Sequence, residues 1–116
     1  MARHEGGCQC GRVRFSADVE LEGLISCNCS RCGRLGSILT FVSAEAFALE
    51  QGEDALTEFK FNTDKISHLF CETCGVQSFG RGVAPDGRDV IAVNVRCLDD
   101  IDVFSLKPQE VDGKSF

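Results

Sequence analysis

Ser26-Cys27-Asn28-Cys29-Ser30-Arg31-Cys32-Gly33, residues 26–33, places three thiols within six consecutive positions. Further along, Cys71-Glu72-Thr73-Cys74-Gly75 repeats the second half of that pattern, and Gly7-Cys8-Gln9-Cys10-Gly11 adds a tighter pair near the start. Each spacing has a physical reason. In C-x-x-C-G the chain makes a tight knuckle in which two sulfurs converge on one ion about 2.3 Å away, and the glycine lets the backbone bend with positive φ. In C-x-C two side chains leave the same side of an extended segment, so both reach one metal. All-thiolate donors select zinc or an iron-sulfur cluster over hard cations, and zinc is preferred because no C-x2-C-x2-C-x3-C run is present.

Working outward, the chain has eight cysteines in 116 residues, at 8, 10, 27, 29, 32, 71, 74 and 97. Residues 1–7 run into the first cysteine with no apolar stretch of the secretory kind, so the expected address is the cytoplasm, where clustered thiols are metal ligands more often than disulfides. No apolar run approaches the roughly 20 residues of a membrane span, and a soluble chain is expected. A net charge of −6, from 18 acidic against 12 basic residues, disfavours tight binding to nucleic acid or an anionic membrane. Length and a 43% hydrophobic composition suit one globular domain covering 1–116.

The pattern between the cysteines is that of strands. Arg12 to Glu20 alternates polar and apolar residues, with Val13, Phe15, Ala17 and Val19 on one face, as a half-buried strand does. Leu24-Ile25 leads into the dense thiol stretch. Ile38 to Val42 and Val90 to Val95 are β-prone on both faces and read as interior strands. Ser43 to Phe47 suits one helical turn capped by Ser43. Thr57 to Asn62 and Ile66 to Phe70 flank Thr63-Asp64-Lys65 as a hairpin that delivers its second strand to Cys71, and Pro85-Asp86-Gly87 is a turn. The expected fold is mainly β, a single small domain of antiparallel sheets with at most short helical turns.

Seven clustered thiols do not divide into two complete tetrahedra. One site can close with four thiolates, and the other is then left with three and a vacancy, the mark of a catalytic rather than a structural zinc. Spacing alone leaves the pairing open. Cys29 and Cys32 with Cys71 and Cys74 would form a plain zinc ribbon, with Cys8, Cys10 and Cys27 spare.

Taken in order, Gly7-Cys8-Gln9-Cys10-Gly11, Ser26 to Cys32, Phe70 to Gly75 and Val93-Asn94-Val95-Arg96-Cys97-Leu98-Asp99-Asp100 resemble the glutathione-dependent formaldehyde-activating enzyme (GFA) family, over about residues 6 to 104. The resemblance implies a zinc-stapled pair of antiparallel sheets, sometimes called a β-tent. It implies two zinc ions: a structural one on Cys8, Cys10, Cys71 and Cys74, and a catalytic one on Cys27, Cys29 and Cys32. It also implies a carbon-sulfur lyase that joins glutathione, as co-substrate, to formaldehyde, giving S-hydroxymethylglutathione. Asn28 stands where the family usually has histidine, the chain is shorter than the glutathione-using members, and no substrate-binding tail is recognisable.

Three-thiolate zinc carries a net charge of −1. It is a poor water activator but well suited to binding an incoming thiol as its thiolate. Among the remaining residues, His68 reads as structural with a backbone partner, with proton donor or spare ligand as the alternative. Arg31, Arg34 and Arg96 read as surface charges, although Arg31 and Arg34 flank the catalytic knuckle and could meet a glutathione carboxylate. Cys97 reads as a small packed hydrophobe. The rival function is a non-catalytic zinc-stabilised interaction module.

Overall fold

Val13, Phe15, Ala17 and Val19 are all buried, while Arg12 and Glu20 face solvent, and this alternation organises the first of two sheets. The computed structural model describes residues 2–60 and 66–115. Strand β1 (Ala2–Gly7) pairs antiparallel with β2 (Arg14–Val19), which pairs on its other edge with a strand at Phe47–Gln51. Between these lie β3 (Ile25–Cys27), a four-residue helix α1 (Cys32–Leu35) and β4 (Leu39–Ser43), so that the Phe47–Gln51 strand is β5. The chain continues through β6 (Leu56–Phe59), β7 (Ser67–Cys71), β8 (Phe79–Val83), β9 (Asp89–Asn94) and β10 (Gln109–Val111).

The second sheet has seven strands in the order β10-β3-β4-β9-β8-β7-β6. Its ladders are antiparallel except where β10 runs parallel to β3. The chain is mainly β, as the alternation predicts. Phe15 from β2, Phe47 from β5 and Phe79 from β8 meet between the sheets with ring centroids 4.7 to 6.3 Å apart. Leu24, Val42, Leu69, Ile91, Val93 and Val95 are buried in the same core. Stacked and tilted aromatic contacts of this kind add directional preference to burial.

Two expectations change in detail. Strand β4 is interior to the ladder, between β3 and β9, but its sheet is covered on one face: Thr40 and Val42 are buried while Phe41 is 55% exposed. A one-sided sheet imposes the alternation that Leu39-Thr40-Phe41-Val42 lacks in sequence, because Thr40 takes an inward position and Phe41 an outward one. The turn after Ser43 exists as a 3-10 turn at Ala44–Ala46, yet the Ser43 hydroxyl makes no capping bond. The hairpin strands pair from Leu56 opposite Cys71 to Phe59 opposite His68, and its proposed turn, Thr63-Asp64-Lys65, lies outside the described residues. Ala84 and Arg88 close the Pro85-Asp86-Gly87 turn with an N–H to carbonyl bond of 2.8 Å. No helix among the described residues is long and apolar enough to cross a membrane.

Two phenylalanines separate core from surface. Phe15→Ala should lower unfolding free energy by about 3–5 kcal/mol, the range for truncating a buried aromatic, whereas Phe41→Ala on the open face should change it by no more than about 0.5 kcal/mol. Urea titrations of the reduced, metal-loaded protein measure both. Similar losses in the two variants would mean that the outer face is covered.

Candidate metal centre

The first thiol group is built where one strand of each sheet ends. After β1 the chain turns so that the Cys8 N–H donates to the Val13 carbonyl (3.1 Å) and the Gly11 N–H to the Cys8 carbonyl (3.3 Å). Cys71 is the last residue of β7; its N–H donates to the Val76 carbonyl (3.1 Å) and its carbonyl accepts from Gly75 N–H (2.8 Å). Gly11 and Gly75 follow their knuckles with φ of 86° and 80°, the left-handed conformation in which a side chain would be strained. Cys10 Sγ consequently lies 3.6 Å from Cys8 Sγ and 3.7 Å from Cys71 Sγ, and the sulfurs of Cys8, Cys10, Cys71 and Cys74 all lie within 4.8 Å of one another. A tetrahedron with metal-sulfur bonds of about 2.3 Å has edges of about 3.8 Å, so the donor set fits one ion. Cys71 and Cys74 are thus grouped with Cys8 and Cys10, whereas the ribbon arrangement would group them with Cys29 and Cys32.

Cys27, Cys29 and Cys32 form a second group whose sulfurs also lie within 4.8 Å of one another, all three half-buried. Cys27 ends β3 and Cys32 begins α1. The Cys29 N–H points at Cys27 Sγ (3.4 Å) and the Cys32 N–H at Cys29 Sγ (3.3 Å), bonds that favour the ionised sulfur. Beside this group is a cleft of about 480 Å³, lined by Ser26, Asn28, Gly33 and Gly36 on the cysteine side and Glu110 and Asp112 on the other. Among the described residues these are the two groups that could hold metal ions, one with four thiols and one with three.

Protons are unequally held in both groups. At Cys71 the Cys74 N–H outweighs desolvation and lowers the thiol's pKa. At Cys74 desolvation raises it, but the Val76 and Cys10 N–H groups with the neighbouring thiols bring it to about 6. The Arg12 N–H lowers that of Cys10, yet desolvation and the other thiols win and raise it to about 11. In the second group burial opposes ionisation of Cys29, and N–H groups from Cys32 and Arg31 overcome it. Burial, followed by the hydrogen bond with Cys29 and then the charge of Cys29 and Cys27, pushes Cys32 up to about 12. Adjacent thiols cannot all ionise together, so charge concentrates where backbone donors point.

Of the residues singled out around the clusters, Arg31 departs from its expected surface role, while Arg34, Arg96 and Cys97 lie as expected. Arg31, inside the three-thiol knuckle, gives two hydrogen bonds to Gln77 Oε1 (2.7 and 3.1 Å) and lies 4.9 Å over the Phe59 ring. Gln77 also approaches His68 Nδ1 (3.5 Å). His68 therefore has a side-chain neighbour here, and burial followed by the Arg31 charge lowers its pKa. Arg34 bonds the Ser30 carbonyl (2.8 Å), and Arg96 is exposed. Cys97 packs against the core outside both groups, and burial raises its thiol to about 11. The sequence reading had no place for Gln77, Glu110, Asp112 or Gly113. An Asp-Gly pair is at most a turn signal, and nothing local marks Gln77.

The family model described as glutathione-dependent formaldehyde-activating enzyme matches residues 3–112, and the chain belongs to that family. A crystal structure of a Rhodobacter sphaeroides protein superposes with a TM-score of 0.81 at 26% identity, covering 91% of this chain and 97% of that one. The family is described as an enzyme family acting with glutathione on formaldehyde, and the fold is shared with a solved protein along almost its whole length.

Two outcomes follow from this geometry. Metal affinity should fall with pH, because the Cys10 and Cys32 protons must be displaced at neutrality and Cys74 takes one too below about pH 6, steepening the dependence. Competition with a chromophoric chelator between about pH 5.5 and 8 measures this, and a flat profile would contradict it. Cys71→Ser should unfold the domain, since a structural zinc contributes about 10 kcal/mol or more to small folds; unchanged melting would show that the four-thiol group holds nothing together.

Proposed function

We propose that the chain, acting as one GFA-like unit over 1–116 in the cytoplasm, is a zinc-dependent carbon-sulfur lyase. It adds a small thiol, glutathione first, to formaldehyde or a similar small aldehyde and catalyses the reverse. The observation that carries this reading is the inequality of the two thiol groups, four on one side and three beside an open cleft on the other. Cys8, Cys10, Cys71 and Cys74 would hold a structural zinc. Cys27, Cys29 and Cys32 would hold a catalytic one with a coordination position left for the substrate. Zinc bound there would favour the ionised form of an incoming thiol at neutral pH.

The reaction makes modest demands on the chain. The thiol sulfur bonds to the aldehyde carbon, the carbonyl electron pair moves to oxygen, and that oxygen takes a proton equivalent to the one the thiol released. Nothing is oxidised or reduced. Formaldehyde is strongly electrophilic, so the main gain is proximity within the cleft. Asp112, on the cleft wall, is held below the usual carboxylate range by the Ser115 hydroxyl and then the Asn28 amide. It stays ionised at neutrality, so the product's proton comes from solvent in the open cleft rather than from this carboxyl group.

The test is exchange spectroscopy on glutathione and formaldehyde at equilibrium with their adduct. Reduced protein carrying two zinc ions should accelerate interconversion. Cys29→Ala should return it to the uncatalysed rate, with melting still cooperative and one zinc retained. Two bound zinc ions with no acceleration for any small thiol would make the protein a zinc-stabilised interaction module.

A further inference from the structure

Asn28 lies between two members of the three-thiol group, but its amide is directed at a segment more than eighty positions away. Its Nδ2 donates to Asp112 Oδ1 (2.9 Å), its Oδ1 accepts the Lys114 N–H (2.9 Å), and its own N–H donates to the Val111 carbonyl (3.2 Å). The Ser115 hydroxyl donates to the other Asp112 oxygen (2.6 Å). Just upstream, β10 runs parallel to β3 with Val111 opposite Cys27. Together these contacts bring the backbone of Gly113 onto the thiol group. A Cβ at Gly113 would lie 2.3 Å from Cys27 Sγ and 3.6 Å from Cys29 Cβ.

The opposite flank of the cleft is bare. Gly33 and Gly36 line it; a Cβ at Gly33 would meet the Asn28 carbonyl oxygen at 3.3 Å, whereas one at Gly36 would meet nothing within 4 Å. One side of the three-thiol group is thus covered by peptide and the other opens at Gly36. We propose that Asn28 is a positioning residue that holds Asp112–Ser115 as a roof over Cys27, so that a thiol must enter along the Gly33–Gly36 flank and is selected by its width. The choice of a thiol as the entering ligand rests on the proposed function; the roof does not.

Two variants probe the roof from opposite ends: Asn28→Ala removes the latch, and Gly113→Ala forces the roof off by collision. In zinc-loaded protein the amide at position 28, bonded to Val111, should lose protection from hydrogen exchange by roughly tenfold in both variants, as expected for one or two lost hydrogen bonds. The Cys71 amide should be unaffected and serves as the folding control. Unchanged protection at position 28 in Gly113→Ala overturns the roof. In cobalt-loaded protein, the sulfur-to-cobalt absorption reports entry of 2-mercaptoethanol against the branched, equally uncharged 2-methyl-2-propanethiol. The native chain should favour the slender thiol, and both variants should narrow that preference by roughly tenfold, in proportion to the same loss. Entry of both thiols with a preference that neither variant alters overturns selection by width. If exchange behaves as expected but no thiol changes the native cobalt spectrum, the proposed function fails and the roof stands.

Discussion

Four sulfur atoms gathered where strands of two different sheets end lie within 4.8 Å of one another, and the surrounding backbone is shaped to let them do so. Strand β1 belongs to the three-stranded sheet and β7 to the seven-stranded one, so the Cys8/Cys10 and Cys71/Cys74 knuckles join the two layers at one point. The approach demands glycine at the end of β1. A Cβ at Gly6 would lie 2.4 Å from the Cys97 carbonyl oxygen, and one at Gly7 would lie 2.2 Å from that of Val13. Gly6 bridges to Leu98, the Asp99 N–H donates to the Glu5 carbonyl, and Arg14 pairs with Asp99 at the surface. The last of these is partly solvent-screened and adds little; the buried Phe15 and Phe79 rings, with the half-buried Phe47 against them, pack the space between the sheets.

The second group is assembled differently. Its three thiols come from one short stretch, Cys27 to Cys32, and need no partner strand to bring them together. Its surroundings, by contrast, are brought from distant parts of the chain. Asp112 and Gly113 reach it through the parallel pairing of β10 with β3, and Gln77 reaches Arg31 from just beyond the four-thiol knuckle. Gln77 thereby ties the loop of one group to the exit of the other. The Arg31 guanidinium, bonded twice to Gln77 and stacked on Phe59, is directed at the protein and braces the loop.

This division has an electrostatic side. The acidic excess of the chain meets the three-thiol cleft at Glu110 and Asp112, and a three-thiolate zinc would add a further negative charge. In the proposed reaction an anionic thiol such as glutathione would approach that field against repulsion. The gain from metal coordination must exceed this repulsion, and slender, less charged thiols face less of it.

Much was readable in the residues alone. The alternation from Val13 to Val19 set which face of β2 is buried, since side-chain direction in a strand has a period of two. The C-x-C and C-x-x-C-G spacings marked the chelating knuckles, because convergence of two thiols within a turn is a local property of the backbone. The count of seven clustered thiols implied a four and a three. Which pairs combine was carried by resemblance, since spacing left a ribbon equally open; in the structure it follows from where β1 and β7 end. The outward turn of Phe41 and the inward turn of Thr40 were also invisible in sequence, because they depend on which face of the sheet the other layer covers. The Asn28 latch and the Gly113 roof were the least legible. Hydrogen bonds between positions 28 and 112 to 114 depend on a parallel strand pairing with no local turn to announce it, and only the folded chain brings those residues together.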